Sequence, residues 1–584
     1  MREVTGPPMP AIAADQHLLR PVMARAKDDP TRPVAAFRQG EGFVDVEAGP
    51  FYERVRSLAK GLIASGVNAG DRVALMSATR LEWSLVDYAI LAAGAVTVPI
   101  YETSSAEQVA WILEDSGAVL LLAETAAMGA RAGETSFSRE VLVIDDGAVA
   151  ELESRAAKTD DGALDGRLAD ITTDQLATIV YTSGTTGRPK GCSLTHANLR
   201  TNVFQTMEAI GPLFQDDEVF LMFLPLAHIL AKIVGMTGME LGAKQAFCSG
   251  LDHLQEEMQM VKPTMVCAVP RIFEKVYNGA EHKAQGEGHG GIFSKAADVA
   301  IHWSRSPGPI TRVEHATLDP LVYRKIRAVF GGRLRFAFSG GGPLGERLTH
   351  FYNGVGIKIF EGYGLTETSP TLTVNRADNW RPGTVGRPMA ATTIRIADDG
   401  EILARGPQVF AGYWHNELAT ADVVDDERWF HTGDVGEIDD GGFLRITGRK
   451  KEILVTAAGK NVAPAPLEDR LRAHALISQA VVVGDRRPFI AALVTLDEAA
   501  ASQWAAEHGG DLATLIDGPE LRALLQEAVD QANKSVSKAE SIRKFSILPV
   551  DFTIAAGELT PTLKVRRSVV EKAYAPVIEQ LYAG

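Results

Sequence analysis

The run Tyr181-Thr182-Ser183-Gly184-Thr185-Thr186-Gly187-Arg188-Pro189-Lys190-Gly191 concentrates hydroxyls and glycines and places a lysine near its end. Glycines let consecutive backbone N–H groups turn inward, hydroxyls add donors, and Lys190 adds a positive charge. A loop of this kind suits the phosphates of a nucleotide. A Walker A loop is excluded, because it needs Gly directly before its Lys and Ser or Thr directly after. Here Pro189 precedes Lys190 and Gly191 follows it. A second run, Glu361-Gly362-Tyr363-Gly364-Leu365-Thr366-Glu367-Thr368, follows the strand-like Lys358-Ile359-Phe360. Tyr363 offers a flat face on which a base can stack, and Thr366 a hydroxyl for a phosphate. Glu367 offers a hard oxygen to Mg²⁺, which prefers carboxylates, waters and substrate phosphates. Gly340, Gly342 and Gly345 spell G-x-G-x-x-G, and Glu361 lies near the distance at which a dinucleotide fold carries its acid. Pro343 interrupts that fingerprint, and the loop lies deep in the chain, so a dinucleotide reading is set aside.

These runs resemble the signatures of the adenylate-forming superfamily, which includes acyl-CoA synthetases, luciferases and peptide-synthetase adenylation domains. Further motifs follow in the family's order over about residues 50–570. Leu224-Pro225-Leu226-Ala227-His228-Ile229 resembles the motif whose His or aromatic residue lies near the acyl carboxylate. A lone His in an apolar run is otherwise a satisfied core residue. In the family the loop Gly340, Gly341, Gly342 borders the adenine and acyl pockets, where bare backbone allows close approach. The motif around Glu361, Gly362, Tyr363 and Gly364 adjoins the nucleotide, with Thr366 and Glu367 assigned to catalysis and Glu367 to Mg²⁺. Trp429-Phe430-His431-Thr432-Gly433-Asp434 resembles the ribose motif, with Asp434 accepting from the ribose hydroxyls and Arg449 reaching the same sugar. Lys451, in Gly448-Arg449-Lys450-Lys451, sits at the family's hinge position, and Gly459 in its thioester loop. Leu559-Thr560-Pro561-Thr562-Leu563-Lys564 resembles the C-terminal catalytic lysine motif. Many members have Gly where this chain has Leu563, a departure that long-chain acyl-CoA synthetases share.

The elements that position these groups read as alternating α and β. Helical spacing covers Tyr52–Leu62 and Trp83–Ala93, and Asp71–Met76 reads as a strand. Alternation recurs over 108–144 and 177–269, which implies a mostly parallel sheet covered by helices. The stretch 276–333 looks like a surface excursion with a mobile, glycine-rich tip over Glu281–Gly291. From Gly383 to Asp440 short strands and turns suggest a small β-rich subdomain. Beyond it lies a last unit with strands at Gln479–Val483 and Ile490–Leu496 and a helix at Leu521–Asn533. The expected fold is α/β. It has a large N-terminal domain (residues 1–449) of αβα-layered subdomains with a small β-barrel-like subdomain, and a small mobile α+β domain (residues 450–584).

A chain of 584 residues implies several packed units. A net charge of -15 argues against non-specific nucleic-acid binding, which needs a basic footprint. Cys192, Cys248 and Cys267 show no metal or disulfide spacing and read as reduced thiols. Acidic residues and prolines come early, so no secretory signal is expected. The apolar runs Tyr88–Tyr101 and Val219–Ala231 fall short of the roughly 18 residues a span requires.

The resemblance implies two half-reactions. A carboxylate attacks the α-phosphate of ATP, giving acyl adenylate and pyrophosphate, and coenzyme A then displaces AMP. Lys190 and its loop would hold the outgoing phosphates, Glu367 Mg²⁺, and Lys564 the meeting of carboxylate and α-phosphate. Val269-Pro270-Arg271-Ile272-Phe273-Glu274-Lys275 and the excursion after it look like bacterial long-chain acyl-CoA synthetases, so a fatty acid is the expected substrate. An acyl-AMP ligase serving a carrier protein, an aryl or terpenoid acid ligase and a non-catalytic nucleotide-binding regulator stay open. A cytoplasmic location with peripheral membrane contact, and a homodimer, complete the expectations.

Overall fold

The computed structural model describes residues 2–133, 137–182, 188–516, 518–560 and 563–583. The helical spacing after Phe51 becomes the helix Ala48–Ala64, which buries Phe51, Val55, Leu58 and Leu62 on one stripe. The strands Arg72–Met76 and Val96–Ile100 pair in parallel inside a seven-stranded sheet. That sheet departs from the parallel expectation at the phosphate-loop run. The strands Leu176–Thr182 and Lys190–Thr195 are antiparallel, with Thr182 opposite Lys190 and Val180 opposite Cys192. The loop therefore closes a hairpin, whereas a Walker loop runs from a strand straight into a helix. The helix His196–Ile210 starts only after the return strand, on a Thr195–Asn198 capping box.

A second, nine-stranded sheet delivers most of the remaining motifs. Four of its neighbours, Lys358–Gly364, Phe336–Ser339, Met265–Ala268 and Val219–Met222, run parallel side by side. Their carboxyl ends lead into Thr366 and Glu367, the glycine loop, Arg271 and His228. Open α/β sheets bind ligands outside such carboxyl ends.

The stretch that reads as a mobile tip is helical. Glu281–Gly286 form the last turns of the helix Pro270–Gly286, and only Glu287–His289 separate it from the helix Gly290–Arg305. The helices Pro309–Leu318 and Arg324–Val329 follow. Tyr277 meets Phe293 and Phe351 edge to face, with centroids 5.4 and 4.8 Å apart. Such pairs contribute about 0.5–1.5 kcal/mol each beyond their burial. The glycines and charges of this stretch lie on a solvated helical surface, which imitates loop composition.

The strand-and-turn region forms a five-stranded antiparallel sheet. Asp434, on Phe430–Ile438, stands opposite Arg449, on Leu444–Arg449. The first strand of the chain, Glu3–Thr5, pairs with Thr393–Ile396 at the edge of this sheet. The small C-terminal unit has its own core, in which Leu467, Leu471, Val482, Leu521 and Phe545 meet. Its strands Ile477–Val483, Ile490–Leu496 and Ile542–Ile547 form a mixed sheet. Among the described residues no helix is long and apolar enough to cross a membrane.

Candidate active site

Lys190 opens the return strand of the hairpin, and its ammonium lies 5.0 Å from the centroid of the Tyr413 ring. The Tyr413 hydroxyl donates to Glu367 Oε1 at 2.8 Å. One ring thus joins the cation to the carboxylate, through its π face on one side and its O–H on the other. Tyr413 belongs to the two-residue strand Gly412–Tyr413, which pairs with Cys192 and Ser193. Glu367 is buried on the single turn Thr366–Thr368, and Thr366 is partly exposed beside it. Gly364 allows that turn to close: a Cβ there would lie 1.7 Å from the Pro370 carbonyl oxygen. Burial, then the Glu367 charge, push the Cys192 thiol well up, so it stays protonated and inert. Cys248 and Cys267 are also buried and free.

The return arm of the loop is braced from outside. Trp111 Nε1 donates to the Pro189 carbonyl at 2.8 Å, and Arg188 lies over the same indole at 4.6 Å. Trp414 N–H donates to the Gly191 carbonyl at 2.7 Å. Ser183, Gly184, Thr185 and Thr186 lie outside the described residues; Thr182 ends the outgoing strand.

A second group gathers around Asp434. This buried carboxylate accepts from the Tyr363 hydroxyl at 2.7 Å and pairs with Arg449 Nε at 2.9 Å. Burial, then the Asp434 charge, push the Tyr363 phenol well up, so it remains a donor. Glu361 takes a different role from the ligand contact the sequence suggests. Its oxygens accept from Leu344 N–H at 3.1 Å and Thr349 Oγ1 at 2.9 Å. It braces the exit of the glycine loop against the helix Glu346–Val355, and burial raises its carboxyl. Gly362 sits in the same strand, opposite Val374, and Gly340 N–H donates to the Ala268 carbonyl.

Lys564 reaches this place from the C-terminal unit. Its Cε lies 3.4 Å from where a Cβ of Gly341 would stand, and Gly341 holds a φ of +84°. A side chain at 341 would be strained by that φ and would meet the lysine at van der Waals distance. Gly342, by contrast, faces Pro270. Lys564 is open to the cleft yet surrounded by both units. Burial, then Arg449, lower its pKa, while Asp434 and Glu452 oppose the shift. His228 stands on the other side. Its Nδ1 accepts from Leu230 N–H at 3.1 Å, so the neutral ring carries its proton on Nε2. Burial, then Lys564, lower its pKa to about 3. At neutral pH His228 is therefore an N–H donor and no base.

The junction of the units is polar and sparse. Lys450 pairs with Asp399 at 2.5 Å and Glu401 at 2.9 Å. Lys451 is exposed beside it on the turn Lys450–Glu452. Arg271 reaches across to Ser478 Oγ at 2.9 Å and Asp497 at 3.3 Å. Gly459 is exposed, and its loop bonds to Arg487 and Glu540 of its own unit. The structure brings Lys564, His228, Gly341, Asp434 and Arg449 to one cleft and leaves Gly459 outside it. Sequence reasoning missed Tyr413 and Trp111. An aromatic beside Gly412 and Trp414, within a β-rich region, is too common a pattern to single out.

The AMP-binding enzyme family matches residues 24–414, and the AMP-binding enzyme C-terminal domain matches residues 451–584. The chain is 49% identical to the long-chain-fatty-acid--CoA ligase FadD15 of Mycobacterium tuberculosis, over 100% of both chains. It is 30% identical to the peroxisomal long chain acyl-CoA synthetase 7 of Arabidopsis thaliana, over 90% of this chain and 80% of that one. Its fold is similar to the A-PCP didomain of carboxylic acid reductase from Segniliparus rugosus in complex with AMP. There the TM-score is 0.77 at 22% identity, over 97% of this chain and 82% of that one. With the family matched over most of the chain and a relative aligned along all of it, the chain belongs to the AMP-binding enzyme family.

Proposed function

We propose that the chain joins a long-chain fatty acid to ATP, giving acyl adenylate and pyrophosphate, and then transfers the acyl group to coenzyme A with release of AMP. The position of Lys564 carries this reading. It stands against the glycine loop, near His228 and the Asp434–Arg449 pair, where a carboxylate and an α-phosphate would meet. The name of the relative at 49% identity supports the substrate class.

In this reading residues 1–449 bind ATP and acid, and residues 450–584 bring the lysine. Asp434 and Arg449 hold the ribose, and Tyr363 lies under the adenine. Lys190 and its loop, Thr182 to Thr186, hold the outgoing phosphates, with Thr366 beside them. The carboxylate oxygen bonds to the α-phosphorus while the bond to the bridging oxygen of pyrophosphate breaks. Lys564 neutralises the charge gathered there, and the Nε2–H of His228 orients the acid. Such catalysis rests on positioning and charge. The sulfur of coenzyme A then bonds to the acyl carbon as AMP leaves.

Glu367 fits a Mg²⁺ ion. Its Oε1 accepts from Tyr413, the Cys192 thiol hydrogen-bonds to the same carboxylate, and Mg²⁺ takes one or two carboxylates plus substrate phosphates. Among the described residues no cluster of three or more metal-ligating side chains offers a protein cage. The ion would neutralise phosphate charge. Tyr413→Phe keeps the ring over Lys190 but removes the bond that aims Glu367. It should raise the Mg²⁺ needed for half-maximal adenylation about tenfold, the worth of one charge-assisted hydrogen bond. An unchanged Mg²⁺ titration would remove Tyr413 from this role.

The function is tested by AMP release from ATP across a series of acids from acetate to long-chain fatty acids, with and without coenzyme A. Long-chain acids should be preferred, and acyl-CoA should accumulate only with coenzyme A. Preference for acetate or an aromatic acid overturns the substrate. Adenylate that forms but is never passed to coenzyme A overturns the acceptor.

A further inference from the structure

Four large apolar side chains that the fold leaves in water fall in one stretch. Ile310 is 78% exposed, Val313 69%, Leu321 53% and Ile292 45%. The helix Pro309–Leu318 buries Thr311 and Leu318 and turns Ile310, Val313 and Thr317 outward at helical spacing. Ala316, Pro320 and Leu321 continue this outward face. Lys295 pairs with Glu314 at 3.2 Å, which lays the helix Gly290–Arg305 alongside.

The charges here are unequally used. Glu314 is engaged by Lys295, and Asp319 by Arg327 at 2.8 Å. Arg305 pairs with Glu346 at 3.0 Å. Arg312, Arg324 and Lys325 are exposed and, among the described residues, belong to no ion pair. An outward apolar stripe thus shares the segment 309–325 with three exposed cations that form no ion pair among the described residues, in a chain whose net charge is -15.

Contiguous exposed apolar surface marks an interaction site. A two-fold dimer would set this patch against itself, with cations facing cations. An anionic bilayer answers both features at once. Its head groups meet the arginines and the lysine, and its acyl region receives the isoleucine, valine and leucine. At a net charge of -15 the chain as a whole is repelled by the same bilayer, so attachment depends on a local group of cations such as this one. We infer that the outward face of 309–325, with Ile292, docks the protein on an anionic lipid bilayer. The inference deepens the proposed function and rests on it only for its purpose, since a long-chain acid partitions into such a bilayer.

The test is sedimentation of the full chain, without substrates, with vesicles of phosphatidylcholine alone or mixed with phosphatidylglycerol. The protein should bind the mixed vesicles at least tenfold more tightly and be released by salt. Arg312→Glu, Arg324→Glu and Lys325→Glu together should weaken binding roughly a hundredfold or more, at about fivefold per neutralised cation. Ile310→Asp with Val313→Asp should abolish it. Both variants should keep the melting temperature and the AMP release seen with octanoate, a water-soluble acid. Equal binding to neutral vesicles, or variants that bind like the parent, overturns the inference. So does a dimer in solution that Ile310→Asp with Val313→Asp dissociates. If vesicles are bound but no fatty acid is activated, the enzymatic reading fails and this surface stands.

Discussion

Lys564→Ala is expected to lower acyl-adenylate formation by about 10²–10³-fold, the usual cost of one preorganised group at developing charge. Thioester formation from supplied acyl adenylate should survive within about tenfold, because the α-phosphate chemistry is then complete. The lysine's Cε comes within 3.4 Å of where a Cβ of Gly341 would stand, and Arg449, the nearby cation that acts on it, is already engaged by Asp434. Its lowered pKa sharpens the expectation. The free enzyme should lose the charged form at a lower pH than an ordinary lysine, so adenylation should fall on the alkaline side. No inflection near 6.5 should appear from His228, which stays neutral there. Pyrophosphate release and acyl-CoA formation, each in single turnover, separate the two half-reactions. Equal loss in both would assign Lys564 to general stability.

The second large effect is expected at Lys451. With Lys564 against the glycine loop, Gly459 is exposed and its loop bonds to Arg487 and Glu540 of its own unit, so a second arrangement is expected to serve transfer to coenzyme A. Lys450 is held by Asp399 and Glu401, and Lys451 is the exposed residue that follows. A few dihedral changes there would turn everything beyond. Arg271 would release Ser478 and Asp497, and little apolar contact would be lost. Proline holds φ near about -65°, within the range of the 3₁₀ turn that Lys451 occupies. Lys451→Pro should leave adenylation within about threefold while slowing transfer to coenzyme A by about 10²-fold or more, a block at a gating step. Lys451→Ala removes the charge but leaves φ free and should resemble the parent. If proline and alanine behave alike, or proline slows both steps at an unchanged melting temperature, Lys451 is no hinge.

The sequence singled out candidate groups wherever several of them could serve one ligand. Lys190, Glu367, Asp434 and Lys564 stand in runs whose glycines and hydroxyls have few other uses. The strand before His228 followed from alternating periodicity, and Lys358-Ile359-Phe360 already read as the strand that leads to Glu367. Partners from distant elements did not. Tyr413 acts through Glu367 and Lys190, 46 residues away in one case, and its own neighbours give no sign of either. Glu361 looked like a ligand because it sits in a ligand-rich run, but the Leu344 amide and the Thr349 hydroxyl turn it inward. The helical state of Glu281–Gly286 was hidden because a solvated helical face and a loop share a polar, glycine-containing composition.

The three-residue strand Glu3–Thr5 has a consequence for how the protein is made. It closes the edge of the sheet that holds Asp434 and Arg449, yet its partner is Thr393–Ile396. During synthesis the N-terminal residues leave the ribosome long before that partner exists. They wait, unpaired, while the two larger sheets form around sequence that lies between. Pairings so far apart in the chain carry a large loop-closure cost and form late. The sheet of Asp434 and Arg449 is thus completed by residues made long before its other strands, and a nascent chain halted before Thr393 would hold most strands of the two larger sheets but neither Asp434 nor Arg449 nor the strands that carry them. A bulky fusion placed directly before Glu3 should then delay the appearance of nucleotide binding more than the appearance of compact structure.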